Sequence, residues 1–72
     1  MKRGWEYRMV RRNGIISIHE VHYGKTGRAT HMTENSVAPM GMSEGSLIDD
    51  LNAMYNALAK PVFVPPKSWG KK

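Results

Sequence analysis

A stripe of apolar residues near the end of the chain constrains its fold more than any other feature. Within residues 46–60, six large apolar side chains recur every three or four positions: Leu47, Ile48, Leu51, Met54, Tyr55 and Leu58. This spacing places them on one face of an α-helix. We therefore expect the preceding part of the chain to provide the surface on which this helix packs.

Residues at both ends of this segment fit the start and the end of a helix. Ser46 and Asp49 match a capping box, in which each side chain accepts a hydrogen bond from a backbone amide of the first turn. Lys60 suits the negative end of the helix dipole. Pro61 then stops the helix, since its ring clashes with the preceding turn. The sequence thus predicts a helix over residues 46–60.

The first third of the chain has the pattern of a β-hairpin. Residues 5–10 alternate between two faces, and residues 15–23 are rich in β-branched side chains. Asn13-Gly14 between them is a strong signal for a two-residue type I′ turn, which needs positive φ at both positions. Such a turn pairs Arg12 with Ile15, and this fixes the register of the whole hairpin.

The register divides the apolar side chains between two faces. We expect the helix to cover the face that carries Trp5, Tyr7, Met9, Ile16 and Ile18. The other face carries Val10, Ile15, Val21 and Tyr23, and we expect it to be open. An open apolar face beside unpaired strand edges favours association. We therefore predict a protein interface at these four residues, most simply that of a homodimer, although a different protein partner would cover them equally well.

The remaining segments complete a small α+β fold. We expect a turn at residues 24–27, a third strand at 28–33 and a loop at 35–45 before the helix. The predicted architecture is a three-stranded antiparallel meander with one C-terminal helix packed on one face, in the order β-β-β-α. Residues 62–64 are apolar enough to pack on the domain or to pair briefly with a sheet edge. We expect one domain over residues 1–64 and a short, flexible, basic tail over residues 65–72.

The charge of the chain favours an anionic partner. The formal net charge is +5 at pH 7, and such an excess favours binding to nucleic acid or to an acidic protein surface. The basic residues cluster near the two ends of the chain. The candidate contacts are Lys2, Arg3, Arg8, Arg11, Arg12, Lys67, Lys71 and Lys72. A basic nucleic-acid-binding accessory protein is therefore the alternative to a protein-binding one.

We find no arrangement of residues that predicts catalysis, a metal site or a bound cofactor. His19 and His22 are three positions apart in a strand, so their side chains lie on opposite faces and cannot share one ion. Gly24-Lys25-Thr26 lacks the upstream glycine and the following helix of a phosphate-binding loop. The carboxylates are scattered along the chain. We therefore expect a protein that is not an enzyme.

The sequence also carries a prediction of compartment. The chain contains no cysteine, which excludes disulfides and thiolate metal sites. Residues 1–12 lack the apolar core of a signal peptide, and no run reaches the roughly 20 apolar residues of a membrane span. We expect a cytoplasmic protein.

The order of motifs over residues 5–64 resembles that of a family of short bacterial and phage proteins with no established activity. The matching elements are Tyr7-Arg8, Ile18-His19-Glu20-Val21-His22-Tyr23, Thr33, Val37-Ala38-Pro39, Leu47, Asp50-Leu51, Met54, Ala57-Leu58 and Pro61-Val62. This resemblance implies the β-β-β-α fold. It also suggests a phage or mobile-element protein that modulates a host factor.

A second resemblance concerns the helix alone. Gly45-Ser46, Asp49-Asp50-Leu51 and Ala57-Leu58 are similar to the helix of HicB-type antitoxins. That family has a partial double-stranded-RNA-binding fold of β-β-β-α form, and the resemblance implies a toxin as partner. Those antitoxins carry a Pro-Gly-Cys turn before the helix, where this chain has Ala38-Pro39-Met40-Gly41. The sequence as a whole predicts a small non-catalytic interaction protein that binds a protein partner.

Overall fold

The computed structural model of the chain describes residues 4–70, which form a three-stranded antiparallel sheet followed by one helix. Strand β1 spans Trp5–Arg12, β2 spans Ile15–Tyr23 and β3 spans Ala29–Met32, in the spatial order β1-β2-β3. Helix α1 spans Glu44–Asn56, and a 3-10 turn continues it through Ala57–Ala59. The predicted α+β class and the β-β-β-α order are confirmed.

The β1–β2 hairpin has the predicted turn and the predicted register. Asn13 and Gly14 both have positive φ, at 55° and 78°, as a type I′ turn requires. Arg12 lies opposite Ile15, and Met9 lies opposite Ile18. The division of the hairpin residues between two faces therefore follows the prediction as well.

The chain after β3 continues along the free edge of β2. The Thr33 amide donates to the Glu20 carbonyl at 3.0 Å, and the Val37 amide donates to the Ile18 carbonyl at 2.9 Å. These bonds satisfy backbone groups of β2 beyond the short third strand. The loop thereby closes part of an edge that would otherwise offer unpaired groups to another strand.

Helix α1 begins earlier than the sequence predicts. Its N-cap is Ser43, which has extended backbone angles, and the capping box joins Ser43 to Ser46. The Ser46 amide donates to Ser43 Oγ at 3.2 Å, and the Ser43 amide donates to Ser46 Oγ at 3.0 Å. The predicted box of Ser46 and Asp49 is wrong, because the helix begins three residues earlier, where Ser43 and Ser46 each accept from the other's amide.

A segment after the helix pairs with the outer edge of β1. Phe63 forms a parallel bridge with Val10. Its amide donates to the Met9 carbonyl at 2.8 Å, and its carbonyl accepts from the Arg11 amide at 3.0 Å. Of the two roles expected for residues 62–64, packing or brief pairing with a sheet edge, the structure shows edge pairing at Phe63. This pairing also brings the chain back across β1 after Pro61 has ended the helical turns.

Residues that we assigned to a flexible tail have a described structure as far as residue 70. Lys67–Gly70 forms a 3-10 turn, and the ring of Trp69 lies 5.6 Å from the ring of Phe63, centroid to centroid. Residues 71 and 72 lie outside the described part of the chain. The contact of Trp69 with Phe63 extends the structured part of the chain beyond the expected boundary at residue 64.

Few side chains are fully enclosed. Among the described residues, Val10 and Val21 are completely buried, and Met54 and Ala57 expose 8% and 3% of their surface. The face expected beneath the helix is only partly covered: its other apolar side chains are half-buried, but Ile16 remains 46% exposed. A thin core of this kind is expected for so short a chain.

Candidate protein-binding surface

The hairpin face that we predicted to be open is covered at its centre in the structure. Val10 and Val21 expose none of their surface, so the expectation of an open interface at these two positions is wrong. Phe63 lies directly beside Val10 in the sheet, a pairing that the hairpin pattern alone did not reveal. Of the four predicted interface residues, Ile15 is 66% exposed, and Tyr23 is half-buried.

Tyr23 belongs to a polar cluster that ties β1 to the chain after the helix. Its hydroxyl donates to Glu6 Oε2 at 2.7 Å and accepts from Arg8 Nη1 at 3.1 Å. Arg8 Nη2 donates to the Pro61 carbonyl at 2.9 Å, and Lys60 donates to the Glu6 carboxylate. The cluster therefore fixes the position at which the chain leaves the helical turns.

The cluster shifts the ionisation of two of its members. Burial raises the pKa of Glu6, but the hydrogen bonds from Lys60 and Tyr23 and the charges of Lys60 and Arg8 outweigh it, so the pKa lies below its ordinary value. Burial and the hydrogen bond to Glu6 raise the pKa of Tyr23 above its ordinary value. Near neutral pH the cluster consists of a carboxylate, two cations and a neutral phenol.

The four candidate basic contacts within residues 4–70 do not form one free surface. Arg8 is committed to the polar cluster, with its guanidinium carbon 5.7 Å from the centre of the Phe63 ring. Arg12 donates to the Glu34 carbonyl at 3.1 Å. Arg11 and Lys67 are exposed. The other four candidates lie outside the described residues: Lys2, Arg3, Lys71 and Lys72.

The histidines hold the sheet together at two places. His19 is 4% exposed and lies 3.0 Å from the Thr33 carbonyl through Nδ1. The rings of His22 and His31 stack with their centroids 4.5 Å apart. Within residues 4–70, no three histidine, aspartate or glutamate side chains come together as a metal site would require.

A cleft of about 590 Å³ lies between the start of β1 and the end of the helical segment. Four polar side chains in its wall are Glu6, Arg8, Tyr23 and Lys60. These are the members of the polar cluster, and they bond to one another rather than converging on the space between them. The cleft thus contains the groups that hold the C-terminal segment in place.

Among the described residues, four of the nine exposed large apolar side chains lie on the helical segment. Ile48, Leu51, Tyr55 and Leu58 are 55%, 46%, 72% and 52% exposed. They are spaced by three, four and three residues, so they follow one line along α1 and its 3-10 continuation. We call these four residues the apolar helix face. They were predicted as packing residues of the helix, and their exposure corrects that expectation.

The apolar stripe is wider than the surface that the chain provides to cover it. Successive residues lie about 100° apart around a helix, and the six stripe residues together span more than a quarter of its circumference. Leu47 and Met54, at one border of the stripe, are half-buried and buried. The sheet covers this border only, because the helix lies beside β1 and not across the whole sheet.

Two hydrogen bonds hold the side of the helix that carries Asp50 against the rest of the chain. Tyr7 reaches from β1 to donate to Asp50 Oδ1 at 2.5 Å, and the Met40 amide donates to Asp50 Oδ2 at 2.9 Å. These two hydrogen bonds lower the pKa of Asp50. Since Asp50 and Ala57 face the chain's own residues, the apolar helix face is turned toward solvent.

The composition of this surface distinguishes it from the rest of the chain. No charged residue occurs between Leu51 and Ala59, although the chain as a whole carries a net charge of +5. Depletion of charge together with a central aromatic side chain is typical of the core of a protein interface. The sequence shows that the apolar stripe of the helix is wide, but it does not show which part of the stripe the sheet covers.

Comparisons with protein-family models, curated proteins and solved structures found no significant match. Among residues 4–70, the helices are all too short or too polar to traverse a lipid bilayer.

Proposed function

We propose that this chain is a small non-catalytic interaction protein that binds another protein through the apolar helix face. The observation that carries the proposal is the exposure of Ile48, Leu51, Tyr55 and Leu58 along one line of the helix. Apolar helix faces of this spacing bind in grooves or against partner helices, with the side chains at i, i+3, i+7 and i+10 as anchors. Tyr55 supplies a large anchor with a polar end that can stay in contact with water.

The same surface argues against nucleic acid as its partner. Binding to a phosphate backbone requires clustered cations, whereas the helix between Leu51 and Ala59 has none. Arg8 and Arg12, which we predicted as contacts, already donate to groups of the chain itself. The cytoplasmic location and the role of a host-factor modulator remain predictions from the sequence.

Site-specific photocrosslinking tests the proposal. We would replace Tyr55 by p-benzoylphenylalanine, which preserves an aromatic ring, and irradiate cells that express the chain. A protein adduct is expected at this position, because the side chain lies within the proposed contact. The same adduct should disappear when Leu58→Asp is added, since a charge on the face opposes burial.

Asn56 provides the matched control. It follows Tyr55 directly and is exposed, but it lies about 100° further around the helix. The photoreactive residue at Asn56 should not yield the adduct. Equal adducts at both positions, or an adduct that persists with Leu58→Asp, would contradict the proposal. An adduct that is removed by nuclease would instead support the nucleic-acid alternative.

A further inference from the structure

We infer that the partner of the apolar helix face is a second copy of this chain, bound as an antiparallel helix pair whose two-fold axis passes between the two faces at the level of Ala53 along the helix. The inference rests on the proposed function and names its partner. It differs from the homodimer predicted from the sequence, because that interface used Val10 and Val21, which are buried within the single chain.

The spacing of the exposed residues is the first argument. Ile48 and Leu58 lie five positions on either side of Ala53, and Leu51 and Tyr55 lie two positions on either side. An antiparallel second copy therefore places Ile48 against the partner's Leu58 and Leu51 against the partner's Tyr55. A two-fold interface must be self-complementary in this way, and the three-four-three spacing is that of a helix-pairing seam.

The charge distribution is the second argument. Self-association of a chain with net charge +5 is opposed by repulsion unless the contact surface is neutral. Two residues that border the face, Asn52 and Ala59, are uncharged. Asp49 and Asp50 lie roughly 120° or more around the helix from the centre of the face, and Asp50 is turned toward Tyr7 and Met40. The pairing thus brings neutral surfaces together at its centre.

The size of the core is the third argument. Only four apolar residues of the described chain expose less than a tenth of their surface, whereas nine large apolar side chains are substantially exposed. Small domains with so little core are commonly completed by association. A pair of copies would cover four of these nine side chains on each chain.

Two single-cysteine variants test the arrangement, because the chain contains no cysteine of its own. Asn52→Cys and Gly45→Cys both place a thiol on the same flank of the helix, seven residues apart. At about 1.5 Å of rise per residue, an antiparallel pair around Ala53 separates the two residues 52 by about 3 Å along the axis, and the two residues 45 by about 24 Å. A short bismaleimide should therefore join Asn52→Cys chains, but not Gly45→Cys chains.

Sedimentation equilibrium of the intact chain completes the test. We expect a species of twice the 8.1 kDa chain mass at concentrations near 100 μM, a range in which weak and moderate protein pairs associate. Leu51→Asp should return the protein to a monomer, whereas Gly45→Asp, which places the same charge about 12 Å along the helix from the axis, should leave a dimer. Tyr55→Lys, at the most exposed position of the face, is the second variant if Leu51→Asp does not fold.

The outcomes separate the inference from the proposal on which it rests. A monomer at every concentration, equal crosslinking at both cysteines, or a dimer unaffected by Leu51→Asp and by Tyr55→Lys would overturn the inference. If the Tyr55 photocrosslink then yields a different protein, the proposed function stands with another partner. If the photocrosslink yields no protein adduct either, both fail. A crosslinked dimer only for Asn52→Cys, lost with Leu51→Asp, supports both.

Discussion

The closed face of the hairpin and the apolar helix face consist of similar side chains in opposite environments. Val10 and Val21 are completely buried, whereas Ile48 and Leu51 are 55% and 46% exposed. The hairpin face is bordered by the chain that returns to β1 through Phe63. The helix face has no such neighbour among the described residues. Periodicity in the sequence therefore shows which residues share a face. Whether that face is buried depends on another segment of the chain, which can be distant in sequence.

The largest effect is expected from a charge on the closed hairpin face. Val21→Asp would bury a carboxylate opposite Glu6 in the sheet, and Arg8, a cation on the same face, already donates to Tyr23 and to the Pro61 carbonyl. A buried unpaired charge costs several kcal/mol, which is comparable to the whole stability of a domain this small. We expect the variant to be unfolded by far-UV circular dichroism at 25 °C.

Ile15→Asp is the control for this prediction. Ile15 belongs to the same face of the hairpin but is 66% exposed, so its charge remains solvated. Its unfolding free energy should stay within about 1 kcal/mol of that of the parent chain. If Val21→Asp folds normally and only loses self-association, the face is open in solution, as the sequence alone had suggested.

A smaller loss of stability should distinguish a substitution on the buried side of helix α1 from one on its exposed side. Met54→Ala removes a side chain that is 8% exposed, and a loss of about 2–3 kcal/mol is expected from the transfer term and the cavity it leaves. Leu51→Ala removes a side chain that is 46% exposed. Its cost in the monomer should be below about 1 kcal/mol. Urea unfolding at low micromolar concentration measures both values.

Protein concentration sharpens this second prediction. If a second copy covers Leu51, the cost of Leu51→Ala should grow as concentration rises, because association stabilises only the folded chain. The cost of Met54→Ala should change little, since Met54 faces the chain's own residues. Asn52→Ala, which changes an exposed residue next to the face, serves as the control. Equal costs for Met54→Ala and Leu51→Ala at low concentration would mean that both sides of the helix are covered within one chain.

Local chemistry explains which parts of the fold could be predicted. Asn13-Gly14 determines its own turn, and a two-residue turn leaves only one register for the strands beside it. Pro61 likewise ends the helical turns through its own ring. No single residue determines the start of the helix in this way. Several polar residues near residue 45 can cap it, and the structure uses Ser43 with Ser46.

Long-range contacts explain why the sequence predicted exposure for the wrong apolar face. The closure of the hairpin face depends on Phe63, which follows Val10 by 53 residues, and on a cluster that joins Glu6 to Lys60. No local pattern predicts that Lys60 will meet Glu6. Without this contact, the hairpin appeared open and the helix appeared covered. The residues of the stripe were predicted correctly. Which of them face solvent depends on the contacts that position the helix against the sheet, such as those of Asp50 with Tyr7 and Met40.

The smallest effect concerns the polar cluster that holds the closed face at its edge. The pKa of Glu6 is lowered in the folded chain, so the folded state binds its proton less readily than the unfolded state does. The stabilisation is therefore fully present above the ordinary pKa, near 4.5, and is lost as pH falls through the lower folded value. Because the Lys60–Glu6 pair is partly exposed, we expect a contribution below about 1 kcal/mol.

Lys60→Gln identifies the source of this acid sensitivity. The variant removes the cation while keeping a side chain of similar length, so the pKa of Glu6 should move toward its ordinary value. Thermal unfolding between pH 6 and pH 3 should then show a shallower loss of stability, by less than about 1 kcal/mol. Asp50 loses its own stabilisation in the same direction, because its pKa is also lowered, and so some acid sensitivity must remain. An unchanged pH profile in Lys60→Gln would show that Lys60 is not the source, and would assign the acid response to Tyr23 and Arg8 at Glu6 or to Asp50.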